Sequence, residues 1–384
     1  MAISNERKLR VLSIAHPAVS LDIGRRRYHS FGNRPDIELH LLVPKRWSEY
    51  GRTIEADPSD GSGIHLHILP IWLPRVPIAK WYCHIYPGLG RLIKEIDPHV
   101  IHLWEEPWGF VALQACLLKR KAAFLLEVDQ NILRRLGFPF DTIRKFVLRR
   151  TDHVLPRSKD AEDVVSECGY QGPVTSIKYG VDRETFSPDS QSKRRPEVPG
   201  LRLGYVGRLV VEKGLDDAIE ALASTPSNVT LEIMGEGPYR ISLETRISSL
   251  GLQDRVKFRG WDSQLEVAAF MRTLDALVLL PRTSRTWREQ FGRVIIECQS
   301  CGVPVIGSAC GAIPDVVADG GWIVPESNPE ALAECIRSII ADRTELHRRA
   351  ARGLINVETH YTYGAVAQAL ESSWVSAARA LEGN

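Results

Sequence analysis

Leu201-Arg202-Leu203-Gly204-Tyr205-Val206-Gly207-Arg208-Leu209-Val210-Val211-Glu212-Lys213-Gly214-Leu215 reads as a strand that runs straight into a glycine, a short cation-bearing loop and the start of a helix. Strands that open into helices in this way build a parallel sheet wound on both faces. The same alternation continues downstream through Thr230–Met234, Val256–Arg259, Ala276–Leu280, Val303–Gly307 and Gly321–Val324. Upstream it runs through Arg10–Ala15, Glu38–Val43, His65–Pro70, Val100–Leu103, Ala123–Val128, His153–Pro156 and Thr175–Tyr179. Helical patterns at Trp81–Ile96, Phe110–Lys119 and Lys159–Glu167 separate several of these strands. The aperiodic, Pro-rich stretch SPDSQSKRRPEVPG at 187–200 interrupts the alternation and reads as a linker. The spacing therefore predicts an α/β chain of two doubly wound domains, 1–187 and 201–362, joined by a linker over 188–200. A last helix, Gly364–Leu381 within 363–384, is free to return to the first domain. Ligands of open parallel sheets sit beyond the carboxyl ends of the strands, so the site is expected there.

Composition sets the class. The chain has 384 residues, 44% of them hydrophobic and 25% charged, enough to bury two sizeable cores. No apolar run approaches the ~18 residues that a membrane span needs, and the polar start Met1–Arg10 does not read as a signal peptide. Seven scattered cysteines suit a reduced, cytoplasmic setting. The net charge of +2 gives no field directed at nucleic acid, although residues 1–187 carry +5 and residues 188–384 carry −3.

Chemistry concentrates in the second half. Gly207 lets the backbone approach a ligand, and Arg208 and Lys213 place a forked donor and a point charge beside a helix N-terminus. That combination suits a diphosphate. Glu289-Gln290-Phe291-Gly292 follows the strand Ala276–Leu280 and an Arg/Ser-rich loop, and Glu297 stands eight positions after Glu289. Gly292 opens a second helix whose backbone amides can face a ligand, and the two carboxylates are acceptors suited to vicinal sugar hydroxyls. Solvated loop cations and a chance pair of helix acids are the bland alternatives for these residues taken singly.

Taken together, Gly207-Arg208, Glu212-Lys213-Gly214 and the Glu-x7-Glu of Glu289 and Glu297 resemble the retaining GT-B glycosyltransferases of family GT4. Gly180-Val181-Asp182 with Phe186 and Pro188, Gly235-Glu236-Gly237-Pro238, Cys301-Gly302-Val303-Pro304-Val305 and Gly311-Ala312-Ile313-Pro314-Asp315 are similar to further family segments, in family order across about 150–330. The resemblance implies a GT-B fold, two Rossmann-like domains facing across a cleft, the first contacting an acceptor and the second holding a nucleotide-diphospho-sugar. It implies that Arg208 and Lys213 hold the diphosphate, Glu297 the ribose and Glu289 the transferred sugar, with the backbone of Gly207, Gly235, Phe291 and Gly292 and the side chain of Arg293 around the donor. It also implies transfer with retention to a carbohydrate, lipid-linked or small-molecule hydroxyl in polysaccharide, lipopolysaccharide or glycolipid synthesis. No cofactor beyond the co-substrate is expected, and the absence of a literal Asp-x-Asp leaves no call for a divalent metal.

The chain departs from the family pattern in three places. Ala15-His16-Pro17-Ala18 through Gly24, followed by Arg25-Arg26-Arg27, replaces a glycine-rich turn. Arg282, Arg285, Trp287 and Arg288 crowd the loop before Glu289. Leu126-Glu127-Val128-Asp129-Gln130-Asn131 occupies a stretch where a histidine is common. On the acceptor side, His102, Glu127 and Asp129 at strand ends are the candidates. Arg134, Arg135, Arg144, Lys145, Arg149 and Arg150 surround the helical face of Phe140, Ile143, Phe146 and Val147, and with the aromatic stretch Trp72–Tyr82 they suggest a peripheral contact of the first domain with the inner membrane face. Cys298 and Cys301 lack the second pair of ligands a zinc site needs. A dinucleotide enzyme would show Gly-x-Gly-x-x-Gly after the first strand, and none is present.

Overall fold

In a computed structural model, residues 8–49, 52–58, 62–72, 83–189, 200–260 and 263–382 are described. The chain divides into two compact units, one holding the residues up to Lys178 together with those from Tyr363 onward, the other running Tyr179–Thr362.

The first unit is built on β1 (Leu9–Ala15), β2 (Ile37–Pro44), β5 (His65–Leu69), β6 (Val100–Trp104), β7 (Ala123–Val128) and β8 (His153–Pro156), with a short hairpin of β3 (Arg46–Glu49) and β4 (Arg52–Glu55) beside it. The sheet order is β5-β2-β1-β6-β7-β8, and every neighbouring pair is parallel. The second unit repeats this plan with β9 (Leu201–Val206), β10 (Val229–Met234), β11 (Val256–Arg259), β12 (Ala276–Leu279), β13 (Val305–Ser308) and β14 (Gly321–Val324) in the order β11-β10-β9-β12-β13-β14. In each sheet the winding reverses beside the first strand, at β1/β6 and at β9/β12. Crossover connections diverge there and leave a crevice beyond the strand ends. The central strands are covered on both faces, which is why β6 and β7 are buried along their whole length and read as continuous apolar runs.

Several boundaries differ from the sequence expectation, and the helix expected over Trp81–Ile96 is described as Leu89–Ile96. Thr175–Tyr179 is no strand: Thr175 N–H and Ile177 N–H donate to the carbonyls of Val154 and Pro156, but Pro156 has no N–H to continue the ladder. Residues 179–187, read as the end of the first domain, pack in the second unit. Phe186 lies in its core, Val181 N–H donates to Tyr361 O at 2.8 Å, and the Arg272 guanidinium donates to the carbonyls of Ser187 and Thr185, both at 2.7 Å. Most of the expected linker, at 190–199, lies outside the described residues.

The last helix, Tyr363–Glu382, belongs to the first unit. Its Trp374 is fully buried, 4.8 Å from the Phe31 ring and 5.7 Å from that of His102. The helix Phe140–Leu148 turns Ile143, Val147 and Leu148 into the core, and Phe140 stacks on Phe110. Its apolar face is therefore internal, which corrects its reading as a membrane-facing surface. Residues 73–82 of the aromatic stretch lie outside the described residues.

Candidate functional site

The donor-side residues assemble at the carboxyl ends of β9, β10 and β12. Gly207 closes β9 and Gly235 closes β10, and the two turns touch through their backbones. A Cβ on Gly235, whose φ is +157°, would lie 1.9 Å from the Gly207 carbonyl oxygen. No larger residue fits there, so the two strand ends meet without side chains between them. Val211–Lys213 then forms one 3-10 turn, and Gly214 caps the helix Leu215–Ala223.

Lys213 Nζ donates to Glu289 Oε2 at 2.5 Å and stands 5.1 Å from the centre of the Trp287 indole. The two side chains are 16% and 13% exposed, so the pair is sheltered but open at its tip. Arg208 is exposed. Its carbonyl accepts from Tyr205 Oη at 2.8 Å, and burial, joined by the Glu289 charge, pushes the Tyr205 phenol up while Arg208 opposes. Arg208, Lys213 and Glu289 thus share one neighbourhood.

The loop carrying Glu289 is tethered from several sides. Arg282 grips the Asp217 carboxylate at 2.6 and 3.1 Å, its N–H donates to Glu212 O, and Thr283 donates to Glu326 at 2.6 and 2.8 Å through its N–H and hydroxyl. Ala312 N–H donates to the Glu289 carbonyl at 3.2 Å. Arg282 is accordingly a structural tie to the Lys213 turn. Gly292 takes the left-handed conformation (φ +76°, ψ 60°) that starts the helix Arg293–Ser300 and places no side chain before its amides. The Phe291 side chain is buried, edge-on to Tyr179 and Tyr361, leaving only its backbone for a ligand. Glu297 lies 3.7 Å from Arg293, and burial pushes its carboxyl up against the pull of that guanidinium. Such a carboxylate gains from a hydroxyl donor.

The acceptor-side candidates have a different character. Glu127 and His102 are both fully buried. Glu127 accepts both Arg27 nitrogens at 2.8 and 2.7 Å and a close Arg157 nitrogen, with His102 Nε2 at 3.1 Å. Burial alone raises the Glu127 carboxyl, but the Arg27 and Arg157 charges and the hydrogen bonds from His102 and Arg27 together hold it well below the ordinary value of 4.5. Burial, with the two arginine charges, lowers His102 against the pull of Glu127. These two residues form an internal ion network and present no surface to an acceptor, a correction to their expected role. Asp129 is 24% exposed and accepts from Trp104 Nε1 and Arg157 Nε, each at 2.8 Å.

At the β1/β6 switch point the structure gathers His16, His84 and Trp47 around Glu105 and Glu106, two strand-end acids that the sequence offers beside His102 as cleft or rim residues. His16 follows β1 and Glu105 follows β6, and His16 Nδ1 lies 3.1 Å from Glu105 Oε2, with His84 Nε2 at 3.9 Å and the Trp47 ring 4.3 Å from that of His16. Glu106 accepts from the Asp129 and Gln130 amides, and burial, then the Asp129 charge, pushes it up to about 8. The strand-end position of the two acids is legible in the sequence, but their meeting with His16 needs the strand order.

The Glycosyl transferases group 1 family matches residues 188–354, and Glycosyltransferase Family 4 matches residues 33–185. The chain is 31% identical over 343 residues, 83% of its length and 84% of the relative's, to a GDP-mannose-dependent alpha-(1-6)-phosphatidylinositol monomannoside mannosyltransferase of Mycolicibacterium smegmatis. It is 26% identical over 325 residues, 76% of its length and 88% of the relative's, to a lipopolysaccharide core biosynthesis mannosyltransferase of Rhizobium meliloti. A sucrose-phosphate synthase of Thermosynechococcus elongatus shares the fold, with a TM-score of 0.71 at 20% identity over 96% of this chain and 99% of that one. The chain belongs to the group 1, family 4 glycosyltransferases and has the GT-B fold of two Rossmann-like domains. It is a glycosyltransferase.

Glu127→Gln tests the correction. Removing one partner of a buried ion network leaves arginine charge uncompensated and costs about 3–5 kcal/mol, so the urea midpoint should fall sharply. The wild-type contribution is present above pH 4.5 and is lost as pH falls through the depressed native value. A variant as stable as wild type at pH 7, with only transfer impaired, would return Glu127 to an acceptor role.

Proposed function

We propose that the enzyme transfers mannose from GDP-mannose to a hydroxyl of a lipid-linked acceptor with retention of anomeric configuration. The observation that carries the reading is the Lys213–Glu289 pair, set with Arg208 between two helix N-termini, Leu215–Ala223 and Arg293–Ser300. In the reaction the anomeric C–O bond to phosphate breaks and its electron pair leaves with the nucleoside diphosphate. Lys213, Arg208 and the helix amides stabilise that charge as it develops. Lys213 exchanges Glu289 for the diphosphate, which frees Glu289 to accept hydrogen bonds from the sugar, while Glu297 accepts from the ribose. The acceptor oxygen forms its bond to the anomeric carbon on the face the phosphate leaves, and its proton passes to the departing phosphate oxygen. The chain supplies the cations for this itself, so the reaction needs neither metal nor cofactor.

The GDP-mannose donor and the glycolipid acceptor follow the name of the mycobacterial relative, and the Rhizobium relative is named for lipopolysaccharide core synthesis. No described helix is long and apolar enough to cross a membrane. The support for a lipid acceptor in this chain is the loop after β7: Phe138 is 88% exposed and Leu133 45%, and Arg134 and Arg135 are exposed beside them. Apolar side chains flanked by arginines suit the interface of an anionic leaflet, where each arginine contributes about 1 kcal/mol.

With GDP-mannose as donor, Arg208→Ala and Lys213→Ala should each lower kcat by at least ~100-fold while leaving the thermal midpoint in place, since each removes charge stabilisation realised in the transition state. Near-wild-type turnover by either variant contradicts the site assignment.

Vesicle co-sedimentation tests the acceptor class. Wild type should pellet with anionic vesicles at low salt, release at high salt, and lose pelleting in Phe138→Asp. Equal or absent pelleting in every condition favours a soluble small-molecule acceptor.

A further inference from the structure

Strand register gathers an unexpected set of ligands at the edge of the first sheet. Parallel pairing aligns His40 with His65 and Leu42 with His67, while Arg10 aligns with Glu38. Because side chains alternate along a strand, Glu38, His40, His65 and His67 stand on one face. The three imidazoles stack, with His40 4.7 Å from His65 and 5.2 Å from His67 between ring centres, each pair tilted by 17°. His40 Nε2 meets Glu38 Oε1 at 3.0 Å, and its Nδ1 meets His67 Nε2 at 3.0 Å. One ligand atom each from Glu38, His40 and His65 lies within 4.8 Å of the others.

We propose that this face binds one zinc ion through Glu38, His40 and His65, with His67 positioning His40. Two imidazole nitrogens and a carboxylate oxygen match the ligands zinc takes at about 2.0–2.2 Å, with water completing a tetrahedron. His65 is exposed on the edge strand β5, where its ring turns to bring a nitrogen toward the others. His40 coordinates through Nε2, the nitrogen now facing Glu38. Its Nδ1–H then donates to His67 Nε2, a hydrogen bond that fixes the tautomer as outer partners of metal-bound histidines do. The neighbouring cation does not compete, because the Arg10 guanidinium is held by the carbonyls of Ile96 and Asp97 and by the Asp97 carboxylate. The ion would bolt the short edge strand β5 to β2. It lies outside the transfer chemistry, so the proposal stands whether or not the donor assignment does.

Equilibrium dialysis of the tag-free, full-length protein against Zn2+, read by elemental analysis, gives the stoichiometry. Wild type should hold one zinc per chain, and zinc should raise its thermal midpoint. His65→Ala, a change at an exposed position, should lose the ion and the shift while melting like metal-free wild type. His67→Ala should keep the stoichiometry with affinity weakened about 10–100-fold. Cobalt should give a nitrogen/oxygen spectrum without thiolate charge transfer, which separates this site from Cys298 and Cys301. Failure of wild type to bind zinc, full stoichiometry in His65→Ala, or a thiolate band each overturns the proposal.

Discussion

Lys213 and Glu289 come from segments 76 residues apart and meet at 2.5 Å because the backbones beneath them are fixed first. The Gly235 turn lies against the Gly207 carbonyl, which sets the end of β9 and hence the start of the turn that carries Lys213. Arg282 fastens the loop after β12 to Asp217 and to the Glu212 carbonyl, which sets Glu289. The pair holds a cation and an anion ready at the mouth of two helices. A diphosphate can replace the carboxylate on the lysine at little net cost, because one charge-assisted partner is exchanged for another. On the proposed reading the site is assembled before the donor arrives, as electrostatic stabilisation of a leaving group requires.

The second half was legible because its signals are local. Gly207, Arg208 and Lys213 fall within one strand-to-helix turn, and Glu289, Gly292 and Glu297 within one loop and its helix, so residue order nearly fixes their geometry. The doubly wound parallel class followed from strand–helix alternation, while the order of the strands came only with the structure. Errors fell where the deciding partner is remote. Thr175–Tyr179 has strand-like composition, but Pro156 on the neighbouring strand ends its ladder. Residues 179–187 precede a linker-like stretch, yet Phe186 is held by the core of the second unit.

The first unit illustrates the limit more sharply. Glu127 sits at a strand end, where a carboxylate can be catalytic, and only Arg27, 100 positions away, and Arg157, 30 positions away, make it structural. A run of three arginines was visible in the sequence. That Arg27 enters the core while the Arg25 guanidinium donates to the carbonyls of Ala18, Val19 and Asp57 depends on how the His16–Asn33 segment folds. The His16–Glu105 contact at the β1/β6 switch point escaped for a related reason, since Glu105 reads only as a strand-end acid and His16 as part of the turn after β1 until the strand order brings them together.

The central claim is a division of labour: Lys213 exchanges Glu289 for the diphosphate, and Glu297 holds the ribose. Calorimetric titration of GDP into wild type, Glu289→Ala and Glu297→Ala tests it most directly. The account predicts that Glu297→Ala weakens GDP binding by about tenfold, the value of one hydrogen bond to a charged group, and that Glu289→Ala binds GDP as tightly as wild type or more so. Equal losses in the two variants would contradict it.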